Sequence, residues 1–188
     1  MKGKLSKEQI WNLVWIGVIL MILFTPVGFH ARVLAGRLFA FDADVVQVEN
    51  RKKLENFDWS LATVDGHTVN FKSYKNKVTV VNLWATWCPP CIAEMPSFAN
   101  LHADYGNKID FFFVANDERE KVVAFLNKKG FELPVYFQTS KTPELLSSKS
   151  IPATFILNKA GEIVVEERGV ADWNSKSTRQ LLDTLLAE

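Results

Sequence analysis

Val78–Cys91, VTVVNLWATWCPPC, decides how this 188-residue chain is read. Its first half is a near-continuous apolar run rich in β-branched residues, the pattern of a central strand buried on both faces. Its second half holds both of the protein's cysteines, Cys88 and Cys91, separated by two prolines. A buried strand that ends at a Cys-x-x-Cys pair, with a helix-forming stretch after it, places two thiols at a strand-to-helix junction.

Working outward, Pro90 to Tyr105 is expected to be that helix. Ile109–Ala115 follows as a second buried strand, and Asn116 or Asp117 is expected to cap a helix running to about Lys129 and ended by Gly130. Leu133–Phe137 reads as extended, and Pro143 opens a short helix. On the N-terminal side, Trp59–Val64 alternates as a strand should, Asp65-Gly66 marks a hairpin turn, and Val69 and Phe71 continue the return strand. On the C-terminal side, Thr154–Leu157 and Glu162–Val165 flank the turn Asn158–Gly161. Trp173–Glu188 is amphipathic, with Leu181, Leu182, Leu185 and Leu186 on one helical face. The order predicts an α/β fold with a mixed central sheet flanked by helices and an N-terminal β-hairpin.

The N-terminus differs in character. A basic segment, residues 1–9, carries Lys2, Lys4 and Lys7. About 20 uncharged residues then run from Ile10 to Phe29, enough at 1.5 Å per residue to cross a hydrocarbon core of about 30 Å. Trp11 and Trp15 sit near the basic end, where indoles favour the membrane interface. The reading is one transmembrane anchor over residues 10–31, a connector over 32–56 and a domain over 57–188. A cleaved signal peptide competes with it, because Val33-Leu34-Ala35 has the spacing of a cleavage site, although the apolar run exceeds the usual length of such a segment. A buried core helix is the third reading. Lysines before the span weakly favour a cytoplasmic N-terminus, offset by Arg32 and Arg37 after it. The formal net charge of +1, with basic and acidic residues interspersed, argues against nucleic-acid binding.

Two thiols can bind metal, staple a loop or exchange electrons. Structural zinc needs about four ligands, and His30, His67 and His102 show no paired spacing. Covalent haem attachment requires His after the second cysteine, where this chain has Ile92. A peroxide-reducing cysteine has Thr three positions upstream, and Thr86 is one residue too close. A disulfide closing so short a loop gains little entropy, so a purely structural role is unattractive. Redox exchange has a mechanical basis. As N-cap, Cys88 would face the backbone N–H of Cys91 and the positive end of the helix dipole, both of which favour thiolate. Cys91, one turn in, would resolve a mixed disulfide. Pro89 at the first helical position suits the N-cap, whereas Pro90 removes a donor near the sulfur. The Cys88 thiol is therefore expected to be moderately acidic.

VTVVNLWATWCPPCIAEMPSF, with Pro96 inside the helix, and SIPATFILNKAGEIV resemble the thioredoxin fold. More narrowly, they resemble the membrane-anchored TlpA/ResA-like thiol–disulfide oxidoreductases of bacterial envelopes, from about Phe57 to the C-terminus. The resemblance implies that Ile151-Pro152 is a cis peptide opposite the cysteines, with backbone groups able to pair with an extended substrate. Pro96 would kink the helix by removing a backbone hydrogen bond. Thioredoxins proper carry a buried Asp where this chain has Asn82, so that proton route is absent. The resemblance offers Glu94 instead as proton acceptor for Cys91; a solvated helix glutamate is the alternative. Trp87 is expected on the substrate-facing surface with Pro89, Pro90, Ile151 and Pro152, and Trp84 in the core.

The expected function is an envelope protein-disulfide reductase without bound cofactor, tethered to the periplasmic side of the inner membrane. Its substrates would be protein disulfides, such as those of apocytochrome c before haem attachment, and its electron donor a membrane thiol carrier. An oxidase or isomerase using the same residues, and a non-catalytic tethered binding module, stay open at this point.

Overall fold

In the computed structural model, residues 6–188 are described; Lys2 and Lys4 of the basic segment lie outside them. The Val78–Ala85 run forms strand β3 (Thr79–Trp84), and every residue of that strand is buried. It is buried because it lies inside a seven-stranded sheet with helices on one face and aromatic-rich loops on the other. β3 pairs in parallel with β4 (Asp110–Ala115), which pairs in parallel with β5 (Val135–Gln138). On its other side β3 is antiparallel to β6 (Ala153–Leu157), which is antiparallel to β7 (Ile163–Arg168). The N-terminal hairpin, β1 (Ser60–Thr63) and β2 (Thr68–Asn70), adds antiparallel to β5, giving the order β2-β1-β5-β4-β3-β6-β7. The mixed sheet flanked by helices agrees with the sequence expectation.

Two crossovers place the main helices. α3 (Pro89–Tyr105) joins β3 to β4, and α4 (Arg119–Lys129) joins β4 to β5. Both connections step the same way along the sheet, and parallel crossovers are right-handed, so both helices cover one face. α5 (Lys176–Ala187) packs on that face through Leu182 and Leu185. The opposite face is filled by Trp59, Leu61, Phe71, Phe112, Leu146 and Phe155.

Several local expectations are corrected. Phe71 does not continue β2. It opens a 3-10 turn over Phe71–Tyr74 that Asn70 caps at the Lys72 N–H, and its ring is buried edge-on to Phe112 at a centroid distance of 4.9 Å. Neither Asn116 nor Asp117 caps α4, whose N-cap is Glu118 without a side-chain bond. Asp117 instead accepts the Thr86 backbone N–H at 3.2 Å and the Thr86 hydroxyl. α5 starts behind Ser175, so Trp173 precedes the helix and points its indole into the core. By contrast, α3 holds Pro96 inside it and spans Pro89–Tyr105, as expected.

The apolar N-terminal run is divided. α1 (Lys7–Phe24) starts with a capping box between Ser6 and Gln9, buries none of its side chains, and is long and apolar enough to cross a membrane. It stops at Thr25 because Pro26 has no N–H to continue the helix and biases Thr25 toward extended backbone. Thr25 is extended, and its hydroxyl accepts the Gly28 N–H to cap α2 (Pro26–Leu38). Residues 39–56 then wrap the β7 edge through isolated bridges Val45 to Val165 and Lys53 to Glu162.

Candidate active site

The site begins where β3 runs out. The Trp84 carbonyl accepts the Asn116 N–H at 2.8 Å, tying the end of β3 to the loop after β4. Asp117 holds Thr86 from the same loop. These anchors fix Ala85–Trp87, and the chain enters α3 with Cys88 in extended backbone as N-cap. Pro89 and Pro90 occupy the first two helical positions, where a missing N–H breaks no intrahelical bond.

Cys88 and Cys91 form a disulfide. The Cys91 N–H donates to the Cys88 Sγ at 3.2 Å, the capping contact predicted from spacing. Cys91 is fully buried, and Cys88 exposes only 4% of its surface. The Ile151–Pro152 peptide is cis, and the Ile151 carbonyl oxygen lies 3.8 Å from the Cys88 Sγ. An oxidised sulfur carries no hydrogen, so this is a packing contact in the disulfide and a hydrogen-bond acceptor for the thiol. Around this point Trp87 is 59% exposed and Pro90 is exposed, Pro89 and Ile151 are half-buried, and Pro152 is buried. The Pro152 ring is thus covered, while Trp87, Pro90 and Ile151 form the accessible surface. Trp84 is fully buried.

Glu94, one turn beyond Cys91, is a buried carboxyl at 1% exposure. One oxygen accepts from Asn82 Nδ2 at 2.9 Å, and the other from Trp173 Nε1 at 3.0 Å. Burial pushes its pKa up from 4.5 to about 8, although these donors and the Ala171 backbone N–H pull the other way. A solvated helix glutamate is thus ruled out. Asn82 also donates to the Thr154 hydroxyl at 2.9 Å, while its own buried Oδ1 has no partner among the described residues. Trp173 is the residue that sequence reasoning missed here. It stacks on Phe98 with centroids 5.1 Å apart, and its backbone N–H reaches the Ser97 hydroxyl at 3.3 Å. No sequence spacing links Trp173 to Glu94, 79 residues earlier.

Comparisons with known proteins agree with this geometry. The Redoxin family model matches residues 49–185. The thioredoxin-like protein YneN of Bacillus subtilis is 30% identical over 130 residues, covering 67% of this chain and 75% of that protein. The thiol-disulfide oxidoreductase ResA of Bacillus anthracis is 30% identical over 152 residues, covering 78% and 82%. Among solved structures, a thioredoxin-family thiol:disulfide interchange protein of Chlorobium tepidum superposes with a TM-score of 0.55 at 26% identity, covering 72% of this chain and 97% of that one. With its Cys88–Cys91 pair at the head of α3, the chain belongs to the redoxin family and is a TlpA/ResA-like thiol–disulfide oxidoreductase of the thioredoxin superfamily.

Proposed function

We propose that this protein is an envelope protein-disulfide reductase, held to the membrane by α1, whose Cys88 is the nucleophile and whose Cys91 is the resolving thiol. The observation that carries the proposal is the asymmetry of the pair. Cys88 caps α3 beside the accessible Trp87–Pro90 surface, whereas Cys91 is fully buried one turn from a buried carboxyl. In the reduced enzyme the helix N-terminus favours the Cys88 thiolate. It attacks a substrate sulfur, the substrate disulfide breaks, and a mixed disulfide forms. Cys91 then loses its proton and attacks Cys88 Sγ. The substrate leaves as a dithiol, and the enzyme, having given up two electrons, closes its own disulfide.

Glu94 is the proposed proton partner of Cys91. A carboxyl whose pKa is pushed up to about 8 is a far better match for a thiol, ordinarily about 8.5, than a solvated carboxylate is, so proton exchange between them faces a smaller gap. Asn82, Trp173 and the Ala171 N–H orient it. The backbone around the cis Ile151–Pro152 peptide is the proposed pairing edge for an extended substrate strand. A membrane thiol carrier returns the enzyme to the dithiol state, and cysteine pairs of apocytochrome c are a substrate class of the right chemistry.

The reduction potential is the deciding measurement. A value near about −270 mV is expected, the region of thioredoxin; one near about −120 mV, that of the strongest periplasmic oxidant, would reverse the assigned direction. Cys91→Ser should accumulate mixed disulfides on Cys88. If a Cys88→Ala strain kept the full biological role, the protein would instead be a tethered binding module.

A further inference from the structure

The helix between the apolar span and the domain has two apolar faces, and the fold uses one. Phe29, Val33 and Gly36 of α2 face the domain: Val33 is buried in the main core, and Phe29 packs against that core. Gly36 sits so close to α3 that a Cβ there would lie 2.9 Å from the Ala93 Cβ. Val27, Leu34 and Leu38 are 68%, 58% and 73% exposed. Spaced seven and four positions apart, they fall on one stripe, roughly half a turn around the helix from the domain-facing side. Ala31 lies within the stripe, and Phe39 and Phe41, just beyond the helix, are exposed as well.

The course of α2 relative to α1 is built into the junction. Arg32 Nη1 donates to the carbonyl oxygens of Ile22 at 2.7 Å and Leu23 at 3.0 Å, capping the end of α1. Ten residues of straight helix would separate Arg32 from Ile22 by about 15 Å, beyond the reach of an arginine side chain. A Cβ at Gly28 would meet the Ile22 carbonyl oxygen at 2.1 Å. The chain therefore turns sharply away from the α1 axis within two turns of α2. From Pro26 to Phe41 it carries His30, Arg32 and Arg37 and no acidic residue.

We infer that α2 is an interfacial helix. Its Val27–Leu34–Leu38 stripe lies in the headgroup boundary of an anionic bilayer while its opposite face holds the active-site helix. The inference rests on the proposed membrane anchoring of α1. Lipid fits better than a second copy of this chain for two reasons. A basic segment with an apolar stripe complements anionic headgroups, and three to five side chains fall well short of the ~1,200 Å² that a stable protein interface buries. The consequence is positional. Gly36 contacts Ala93, two residues after Cys91, so the redox pair is held about one helix diameter, ~10 Å, from the membrane surface.

The test uses the full chain with Cys88→Ser and Cys91→Ser, reconstituted in nanodiscs of phosphatidylcholine and phosphatidylglycerol. Single cysteines replacing Leu34 or Leu38 carry nitroxide labels, with Val14→Cys as the span reference and Lys176→Cys as the aqueous reference. Both stripe residues are largely exposed, so the labels leave the fold intact. The ratio of oxygen to nickel-chelate collision rates is expected to rise several-fold above the Lys176 value at positions 34 and 38, and to fall back in phosphatidylcholine alone. Water-like labels at 34 and 38 with a lipid-like label at 14 overturn the interfacial helix and leave the anchor standing. A water-like label at 14 overturns the anchor itself. Spin–spin broadening at position 34 identifies a second copy as the occupant and overturns the lipid assignment. A ratio indifferent to phosphatidylglycerol overturns its anionic part.

Discussion

At the scale of single residues, the buried Glu94 carboxyl makes stability depend on pH. In the oxidised protein its pKa of about 8 means that the folded chain holds a proton which the unfolded chain, with an ordinary carboxyl near 4.5, has released. Stability contributed by this group is therefore full below about pH 4.5 and is lost as pH rises toward about 8, by about 1.4 kcal/mol for each pH unit in between. Glu94→Gln removes that slope. Thermal unfolding of the oxidised proteins should show the variant gaining on the wild type between about pH 5 and pH 8, and parallel curves would place the carboxyl in water. Kinetically, the proposed role has a protonated Glu94 donate to Cys91 when the enzyme disulfide is reduced. The ratio of wild-type to Glu94→Gln rates with a dithiol should be above one at neutral pH and shrink as pH passes about 8. A ratio of one throughout would remove Glu94 from the proton path. Asn82 suits both protonation states, since Nδ2 meets the carboxylate and a turned amide would offer its unpartnered Oδ1 to the acid. Glu94 was legible as a candidate through the family resemblance, with which its position on the helix face of Cys91 is consistent. Its burial was not, because the residues that enclose it, Asn82, Trp173 and Ala171, come from distant parts of the chain.

Among the elements, the strand-to-helix junction was readable in full. A β-branched apolar run, a cysteine where an N-cap belongs and a proline after it all point to one local geometry. The ends of α4 and β2 were misjudged because tertiary demands won. Asp117 is drawn to Thr86, and Phe71 is worth more in the aromatic core than on a strand. The two prolines still make a testable difference at the head of α3. Pro90→Ala supplies an N–H at the second helical position, which can donate to the Cys88 thiolate. A hydrogen bond to a charged group is worth about 1.5–3 kcal/mol, so the alkylation midpoint of Cys88 should fall by about one to two pH units. Iodoacetamide labelling of the reduced proteins against pH reads this directly. An unchanged midpoint would mean that the Cys91 N–H and the helix dipole alone set the acidity.

For the whole molecule, the segment before the hairpin belongs to the folded body. Hydrophobic pattern reading sees periodic α-helices and strands, and residues 39–56 hold only a 3-10 turn at Val48–Asn50. Their role lies in backbone pairing along β7, which no periodicity announces. The Val46 N–H donates to the Val164 carbonyl at 2.9 Å, the Leu54 N–H to Gly161 at 2.8 Å, and the Ile163 N–H to Lys52 at 2.8 Å. These bonds close a sheet edge that would otherwise be open to other chains. Val33 and Leu54 are buried in the same body. A soluble fragment beginning at Pro26 should therefore be more stable than one beginning at Phe57. Losing two buried aliphatic side chains costs about 3–6 kcal/mol, before any penalty for exposing the β7 edge. For a domain of this size each kcal/mol moves the melting temperature by about 2–4 °C. The shorter fragment should melt at least about 6 °C lower, and light scattering should show it associating through the uncovered edge. Equal melting temperatures and a monodisperse short fragment would reduce residues 26–56 to a passive connector between α1 and the redox domain.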